Sequence, residues 1–305
     1  MNIYRKIRKT LHKLASIMIG GVYKALAKIG IFHPKVVVYM DGGICSQMHQ
    51  FMIGKIYAMR GEDVYYDLKW FKDCGLDVDG KYKRIYELEE AFPYLKVNKI
   101  VGIERWFYRM FLCNVSKDMR LPQICNSENI GPIYLGGYYA IPHKDFKNLF
   151  QKLYVVPNNI IVSDENSVVK CAVHIRRGDL AQGDNIFYGG CSDSYFFNAI
   201  DYVVQNYSNV KFFFFSDEMD YVINNIVPQI SDKAYEIVHS NKAFEDVLKM
   251  SNCDVIIASQ GTFGKFAAMF SNNTVLILKD ESNDPYRNYR IDWSLRKEKI
   301  IYIKE

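Results

Sequence analysis

Short apolar runs alternate with amphipathic stretches through the second half of the chain. Five runs rich in β-branched and aromatic residues are predicted to be strands: VVKCAVHI, VKFFFFS, AYEIVH, DVIIAS and TVLIL. Apolar residues recur at helical spacing in the stretches between them, which predicts helices there. Strands that are apolar along their whole length and separated by helices indicate an α/β chain with a doubly wound parallel sheet, buried on both faces.

The first half contains a shorter version of the same pattern. KVVVYM (35–40) and DVYYDL (63–68) are predicted strands, and the residues from Gln47 onward have helical spacing. This order predicts a parallel pair joined by a crossover helix. The predicted divisions are a basic N-terminal segment and two α/β domains, spanning residues 1–34, 35–160 and 161–305.

The N-terminal segment combines basic and apolar positions. Five basic residues surround four apolar ones at helical spacing: Arg5, Lys6, Arg8, Lys9 and Lys13 with Ile3, Ile7, Leu11 and Leu14. The most apolar piece, 14–23, is too short to span a bilayer. The pattern predicts a helix lying on an anionic membrane surface. The alternative is an ordinary surface helix with a solvated basic side.

Charge and cysteine content narrow the class of protein. The net charge is +5, from 39 basic and 34 acidic residues, which is too mild to indicate a nucleic-acid partner. The 7 cysteines form no CxxC pair and no metal-ligand spacing. We therefore expect reduced thiols and a cytoplasmic location. Asp77 and Asp79 resemble a metal-binding DxD, but they lie in a turn-like loop, and we predict no metal site.

The most informative motif, HIRRGD, follows the first strand of the predicted sheet. Ligands bind outside the carboxyl ends of such strands. Arg176 and Arg177 have the fork geometry that suits paired phosphate oxygens. Asp179, and Asp184 beyond it, are candidate general bases. The alternative for the motif is a structural Arg–Asp pair at a strand end.

A second predicted anion site is SQGTFGK (259–265), between a strand and a helix. Gly261 and Gly264 permit close backbone approach, and Thr262 supplies a hydroxyl. The helix N-terminus offers free N–H groups and the positive end of the helix dipole. A plain N-cap turn is the alternative.

Three further places carry candidate binding residues. Ser216 and Asp217 lie at another strand's carboxyl end. Asp246 begins a helix, where its carboxylate is suited to the N–H edge of a guanine or simply to the helix dipole. Gly43 and Gln47, in DGGICSQMHQ, are predicted to close the cleft from the first half.

These motifs resemble those of the α-1,2-fucosyltransferase family, glycosyltransferase family 11. The family pattern H-x-R-R-G-D is matched by residues 174–179, and GTFGKFAAMF (261–270) is similar to the third family motif. GGICSQMHQF resembles the N-terminal G-G-x-G-N-Q-M-x-Q, with Cys45 and Ser46 replacing Gly-Asn. Lys265 and Phe266 stand where paired aromatics are common. The resemblance covers roughly residues 36–280.

The resemblance implies a GT-B-like fold of two Rossmann-like halves facing a cleft. It also implies GDP-fucose as donor, inversion at the anomeric carbon and no metal. Arg176 would bind the β-phosphate, His174 and Asp246 the guanosine end, and Thr262 a phosphate. The full set of expected donor-binding residues is His174, Arg176, Arg177, Ser216, Asp217, Asp246, Gly261, Thr262, Phe263, Gly43 and Gln47.

The expected activity is transfer of fucose to a hydroxyl of an acceptor glycan, forming an α-1,2 linkage to galactose in a bacterial surface polysaccharide. Arg176, Asp179 and Asp184 are the expected catalytic residues. The acceptor is expected to be lipid-linked, with the protein peripheral on the inner membrane face. Two alternatives stay open: a transferase for another GDP-sugar, and a non-catalytic GDP-sugar-binding subunit of a glycan assembly complex.

Overall fold

The structure is a computed structural model of the chain. It describes residues 2–33, 35–76, 80, 83–112, 133–135, 143–155, 168–178, 190–230, 232–259, 261–270, 274–278 and 300–304. The chain divides into two compact units. The first comprises Met1–Gly75 and Lys83–Pro142, and the second Leu76–Tyr82 and His143–Glu305. The domains assigned above to residues 1–34, 35–160 and 161–305 stay predictions.

The first unit is built on a small parallel sheet with helices along the chain between its strands. Its elements are α1 (Asn2–Lys28), β1 (Lys35–Tyr39), α2 (Ile44–Ala58), β2 (Asp63–Asp67), α3 (Lys69–Asp73), α4 (Leu88–Ala91), α5 (Gly102–Phe111) and β3 (Ile133–Leu135). The strand order is β2-β1-β3, and all pairs are parallel. The parallel pair expected from the β–α–β pattern is therefore confirmed.

The second unit contains a larger parallel sheet. Its elements are α6 (His143–Leu153), β4 (Val169–Ile175), α7 (Asp193–Asn206), β5 (Val210–Ser216), α8 (Met219–Tyr221), β6 (Ala234–Ile237), α9 (Ala243–Ser251), β7 (Val255–Ala258), α10 (Phe263–Phe270), β8 (Thr274–Leu278) and β9 (Ile300–Ile303). The five predicted strands are all present. β9 was not predicted, and the expected helix EMDYVINNIV is broken into α8, a π-helical turn and a 3-10 turn.

The strand order of this sheet decides where a ligand can bind. In the described residues the order is β6-β5-β4-β7-β8-β9, with every neighbouring pair parallel. The chain runs outward in one direction from β4 and in the other from β7, as in Rossmann-type sheets. The connections that leave these two strands diverge, so a crevice opens at their carboxyl ends. The α/β fold with two parallel-sheet units agrees with the GT-B-like prediction.

Buried apolar side chains hold β4 and β7 rigidly in place. Val173 and Ile257 are fully buried in the core beneath the crevice. The Tyr195 hydroxyl, on α7, donates hydrogen bonds to the carbonyls of Ala258 (2.7 Å) and Leu276 (3.0 Å). The Ser192 side chain caps α7 by accepting from the Tyr195 N–H. Residues just beyond these strands therefore start from fixed positions.

None of the helices in the described part of the chain is both long and apolar enough to cross a bilayer. The longest, α1, has 27 residues.

Candidate functional site

Ser259 joins the two strand ends at the crevice of the second unit. Its Oγ lies 2.9 Å from His174 Nδ1, and it accepts a hydrogen bond from the Arg176 N–H at 3.3 Å. The Ser259 N–H in turn donates to the His174 carbonyl at 3.1 Å. Sequence analysis did not single out Ser259, although a polar residue ending the apolar run DVIIAS was a usable signal.

His174 is buried and uncharged. Burial, aided by the neighbouring Arg176 charge, lowers the pKa of the imidazole to about 3. The Ser259 hydroxyl can donate to Nδ1 or accept from it, so the tautomer of the neutral ring decides which atom of this pair is the donor. The ring also stacks on Phe263, with centroids 5.2 Å apart. His174 is thus suited to hydrogen bonding rather than to carrying positive charge.

The N-terminus of α10 lies against the end of β7. The helix starts with the Phe266 N–H donating to the Thr262 carbonyl at 2.8 Å. Gly261 has φ +104, a backbone conformation that favours glycine. A Cβ on Gly264 would lie 2.9 Å from Ala258 Cβ and 3.4 Å from His174 Nδ1. Only glycine therefore lets the first turn of α10, with its free N–H groups, approach His174 this closely.

The Arg177 guanidinium lies against an aromatic ring, with two carboxylates nearby. Its guanidinium carbon lies 3.4 Å from the centre of the Tyr221 ring. Nη1 is 3.7 Å from Asp193 Oδ1, and Nε is 3.7 Å from Glu218 Oε2. Tyr221 also donates to Asp193 at 2.6 Å. At 3.7 Å neither carboxylate is within hydrogen-bond distance, and Nε is buried without a hydrogen-bond partner in the structure. Donor binding by Arg177 stays a prediction. Arg176 is half-buried beside the crevice.

Ser216 and Asp217 hold the turn after β5. The Ser216 hydroxyl accepts from the Glu218 N–H at 3.0 Å. Asp217 Oδ1 accepts from the Arg177 N–H at 2.9 Å. Both side chains thus bind the backbone that follows β4 and β5. Donor binding by either residue stays a prediction.

Asp246 lies in the first turn of α9 with one oxygen unsatisfied. Its Oδ1 is buried and has no hydrogen-bond partner. Burial raises the pKa of this carboxyl, while a hydrogen bond to Ser240 acts in the opposite direction. A buried acceptor without a partner is costly, and a ligand N–H would remove that cost.

Gln47 is one of the two donor-binding residues predicted in the first unit, and its side chain is fully hydrogen-bonded within the protein. The Gln47 amide donates to the carbonyls of Gly42 (3.2 Å) and Ile85 (2.9 Å) and accepts from the N–H groups of Glu87 (2.9 Å) and Leu88 (3.2 Å). These four bonds use its full capacity, so a donor contact would have to replace one of them.

Gly43, which precedes α2, is the other first-unit candidate. It has φ −78, and a Cβ there would meet nothing within 4 Å. A side chain at this position would therefore be accommodated. The neighbouring Gly42, at φ +73, is the position of the turn that favours glycine.

Several predicted residues fall outside the described part of the chain. These are the candidate bases Asp179 and Asp184, and the DVD motif at 77–79. Among the residues that are described, no group of three or more His, Cys, Asp or Glu side chains could hold a metal ion.

A neutral histidine, an arginine and a helix N-terminus meet at the crevice of a Rossmann-type sheet, which defines an α/β protein of the kind that binds nucleotides. Sequence comparison identifies the protein family. The family model described as glycosyl transferase family 11 matches residues 116–297, more than half of the chain. The chain belongs to glycosyl transferase family 11, and it is a glycosyltransferase.

The individual proteins and structures that resemble this chain share low sequence identity with it. An alpha-1,2-colitosyltransferase of Escherichia coli is 24% identical over 260 residues, covering 78% of this chain and 88% of the relative. The E. coli heptosyltransferase WaaC with ADP has a TM-score of 0.42 at 8% identity, covering 88% of this chain and 93% of that structure. POFUT1 with GDP has a TM-score of 0.36 at 9% identity, covering 80% and 98%.

Proposed function

We propose that this glycosyltransferase transfers fucose from GDP-fucose to a hydroxyl of an acceptor glycan, with inversion and without a metal. The linkage would be α-1,2 to galactose in a bacterial surface polysaccharide. The observation that carries the proposal is the joint placement of His174, Arg176 and the α10 N-terminus around Ser259. Arg176 and the helix N-terminus supply cationic and N–H groups for a diphosphate, and the neutral His174 lies beside them.

In the proposed mechanism, the acceptor oxygen forms a bond to C1 of fucose as the bond from C1 to the β-phosphate oxygen breaks. The electron pair of that bond leaves with GDP, and the hydroxyl proton passes to a base, for which Asp179 and Asp184 are candidates. Positive charge develops on the sugar and negative charge on the diphosphate. Arg176 and the N–H groups of α10 would stabilise the leaving group from preorganised positions.

The guanine end would be read by uncharged and anionic groups. Asp246 Oδ1, which has no partner in the structure, is suited to accept from the N–H edge of a guanine. His174, kept neutral by burial, would offer Nε2 as a hydrogen-bonding group. A cationic histidine at this position would instead attract phosphate and lose the distinction between the two ends of the donor.

Two alternatives remain in the same crevice. One is transfer of another GDP-sugar, an option favoured by the colitosyl transfer in the name of the E. coli relative. The other is a subunit that binds a GDP-sugar without turnover. A soluble assay with purified acceptors separates the second from the first, because only a transferase releases GDP in the presence of an acceptor.

Titration calorimetry with EDTA present tests the donor proposal. We expect GDP-fucose to bind, GDP-mannose to bind more weakly and UDP-galactose to show no measurable binding. Asp246→Asn should weaken GDP-sugar binding, since an amide supplies one oxygen where the carboxylate supplies two. The matched control is Asp201→Asn, on α7, which should bind as the wild type does. Equal binding of all three donors, or binding only after a divalent metal is restored, would contradict the proposal.

We further propose that α1 holds the enzyme on the cytoplasmic, anionic face of a membrane. One side of α1 packs on α5. The Ser16 hydroxyl donates to the Met110 carbonyl (3.1 Å), and the hydroxyls of Tyr23 and Tyr108 are 2.6 Å apart. These contacts fix which side of the helix faces the protein and which faces outward.

The outward side of α1 is apolar. Residues spaced three or four apart form one stripe with exposed fractions from 53% to 71%: Ile7, Leu11, Leu14, Met18 and Val22. At about 100° per residue this stripe lies opposite the side that packs on α5. Of the exposed lysines of α1, Lys24 and Lys28 lie on a flank, about 80–120° round the helix from the stripe, whereas Lys9 and Lys13 lie nearer the side that packs on α5. An apolar stripe with basic neighbours is typical of helices that lie in an anionic interface.

Vesicle flotation tests this docking. The full chain should float with vesicles of phosphatidylcholine and phosphatidylglycerol, and much less with phosphatidylcholine alone. Leu14→Glu combined with Met18→Glu should lower binding at least about 10-fold, because two carboxylates would have to enter the acyl boundary. Val204→Glu combined with Ile223→Glu, at exposed apolar sites of the second unit, is the matched control. A wild-type dimer that the α1 variant converts to monomer would mean that a second copy covers the stripe instead.

A further inference from the structure

A cavity of about 550 Å³ lies in the first unit, where β2 ends. Its volume is in the range of sites for small ligands, roughly 300–1,000 Å³. The carboxyl end of a parallel strand is also where such sites form. None of the motifs identified in the sequence lies here. The cavity is therefore a separate feature from the donor crevice of the second unit.

The charged groups around this cavity are mainly cationic. Lys69, Lys72, Lys99 and Arg105 all line it, against a single carboxylate, Asp67, while carbon atoms supply most of the surface that faces the cavity. Asp67 is fully buried and already accepts from the Tyr134 hydroxyl (2.7 Å) and the Lys69 N–H (2.9 Å). The Asp67 carboxylate is thus already hydrogen-bonded by residues of the first unit.

Arg105 is a half-buried cation of the cavity. Its side chain is 15% exposed, and its Nη1 lies 3.6 Å from Asp67 Oδ2, beyond hydrogen-bond length. A guanidinium has five N–H donors arranged as a fork. The fork is therefore not closed on Asp67 in a bidentate pair, and it can hold a second oxyanion.

The lysines occupy the rim, where their present contacts are weak. Lys69 pairs with Asp73 and Lys99 with Glu89, and all four side chains are substantially exposed. Exposed ion pairs of this kind contribute little to stability and rearrange easily. Lys72 is exposed and has no ion-pair partner among the described residues.

The walls of the cavity are suited to a sugar. The rings of Phe71 and Tyr86 both line it, with centroids 5.8 Å apart. Aromatic faces with a few convergent polar groups are the usual lining of small-molecule sites. Val101 and Gly102, at the N-terminus of α5, complete the lining and bring the free N–H groups of that helix to the cavity.

We propose that this cavity binds an acidic sugar residue of the acceptor, one that carries a phosphate or a carboxylate. The proposal rests on the glycosyl-transfer function and specifies its acceptor. Arg105 and Lys72 bind the acidic group, while Phe71 and Tyr86 pack on the sugar ring. α5 connects this site to α1, because its first turn lines the cavity and Tyr108 contacts Tyr23.

Calorimetric titration with small probes tests the site, with GDP present in saturating excess to occupy the donor crevice. The probes are galactose, galactose 1-phosphate and galacturonic acid. We expect at least one acidic probe to bind about 10-fold or more tightly than galactose. A preference for the phosphate identifies a phosphorylated acceptor, and a preference for the uronic acid a carboxylated one. Raising the salt concentration should reduce the difference.

Variants identify the cavity as the site of that difference. Lys72→Ala combined with Arg105→Gln should bind acidic and neutral probes equally while still binding GDP. Lys211→Ala combined with Lys233→Ala removes two exposed lysines of the second unit and should keep the preference. Equal binding of all probes by the wild type, or a preference that survives in the cavity variant, would overturn the proposal. GDP binding in the same samples reports separately on the donor proposal.

Discussion

Arg176→Ala should lower kcat about 100- to 1,000-fold while the protein stays folded. Removing one preorganised group that faces developing negative charge commonly costs about 2.7–4 kcal/mol of transition-state stabilisation. Arg176 follows β4 at the crevice and is proposed to meet the β-phosphate as GDP leaves. Single-turnover rates with GDP-fucose and an α-1,2-competent galactoside acceptor measure the chemical step directly.

The fold should tolerate this change because the backbone of residue 176 keeps its anchor. The hydrogen bond to Ser259 Oγ comes from the main-chain N–H, which alanine also has. Arg177→Ala is the informative comparison, since it removes a side chain that packs on Tyr221 between Asp193 and Glu218. We expect Arg177→Ala to lower the free energy of unfolding more than Arg176→Ala does. An unchanged single-turnover rate in Arg176→Ala would remove this residue from the mechanism.

Gly264→Ala should destabilise the protein by about 1–3 kcal/mol and weaken donor binding at the same time. The added Cβ would lie 2.9 Å from Ala258 Cβ and 3.3 Å from Ala258 Cα, and neither atom can move without shifting β7. Overpacking of a rigid region typically costs about 1–3 kcal/mol. Because His174 Nδ1 is also in contact, at 3.4 Å, the imidazole should shift relative to Ser259.

Urea unfolding and donor calorimetry measure the two effects of this change. The matched control is Gly21→Ala, another helical glycine, where a Cβ meets nothing within 4 Å. In an exposed helix, alanine is favoured over glycine by up to about 1 kcal/mol. We therefore expect opposite signs for the two substitutions. Similar stability gains in both variants would mean that α10 does not pack tightly against β7.

The periodicity of the sequence was enough to predict the second sheet. Apolar runs such as VKFFFFS have few alternative structures, because a strand buried on both faces needs every side chain to be apolar. The helix expected at EMDYVINNIV did not form as one α-helix, since the described chain passes from α8 into π-helical and 3-10 turns. Local spacing carries little information about such breaks.

The candidate site was only partly predictable, for a physical reason. HIRRGD and GTFGK were recognisable because each follows or precedes an element with a clear period. The partner that joins them, Ser259, is 85 residues away from His174 in the chain, and only the parallel pairing of β4 with β7 brings the two together. The position of Arg177 on the Tyr221 ring, near Asp193 and Glu218, likewise depends on contacts that sequence spacing does not encode.

By itself, the sequence determined the α/β class, five of the six described strands of the second sheet, the basic amphipathic N-terminus and the residues that follow the strand ends. These are local properties, set by side-chain polarity at fixed backbone periods. Only the tertiary structure decided the strand order, the burial that leaves His174 neutral, the side of α1 that faces outward and the cavity around Arg105. Each of these depends on which distant segments pack together, because burial and contact are properties of the folded chain rather than of a single segment.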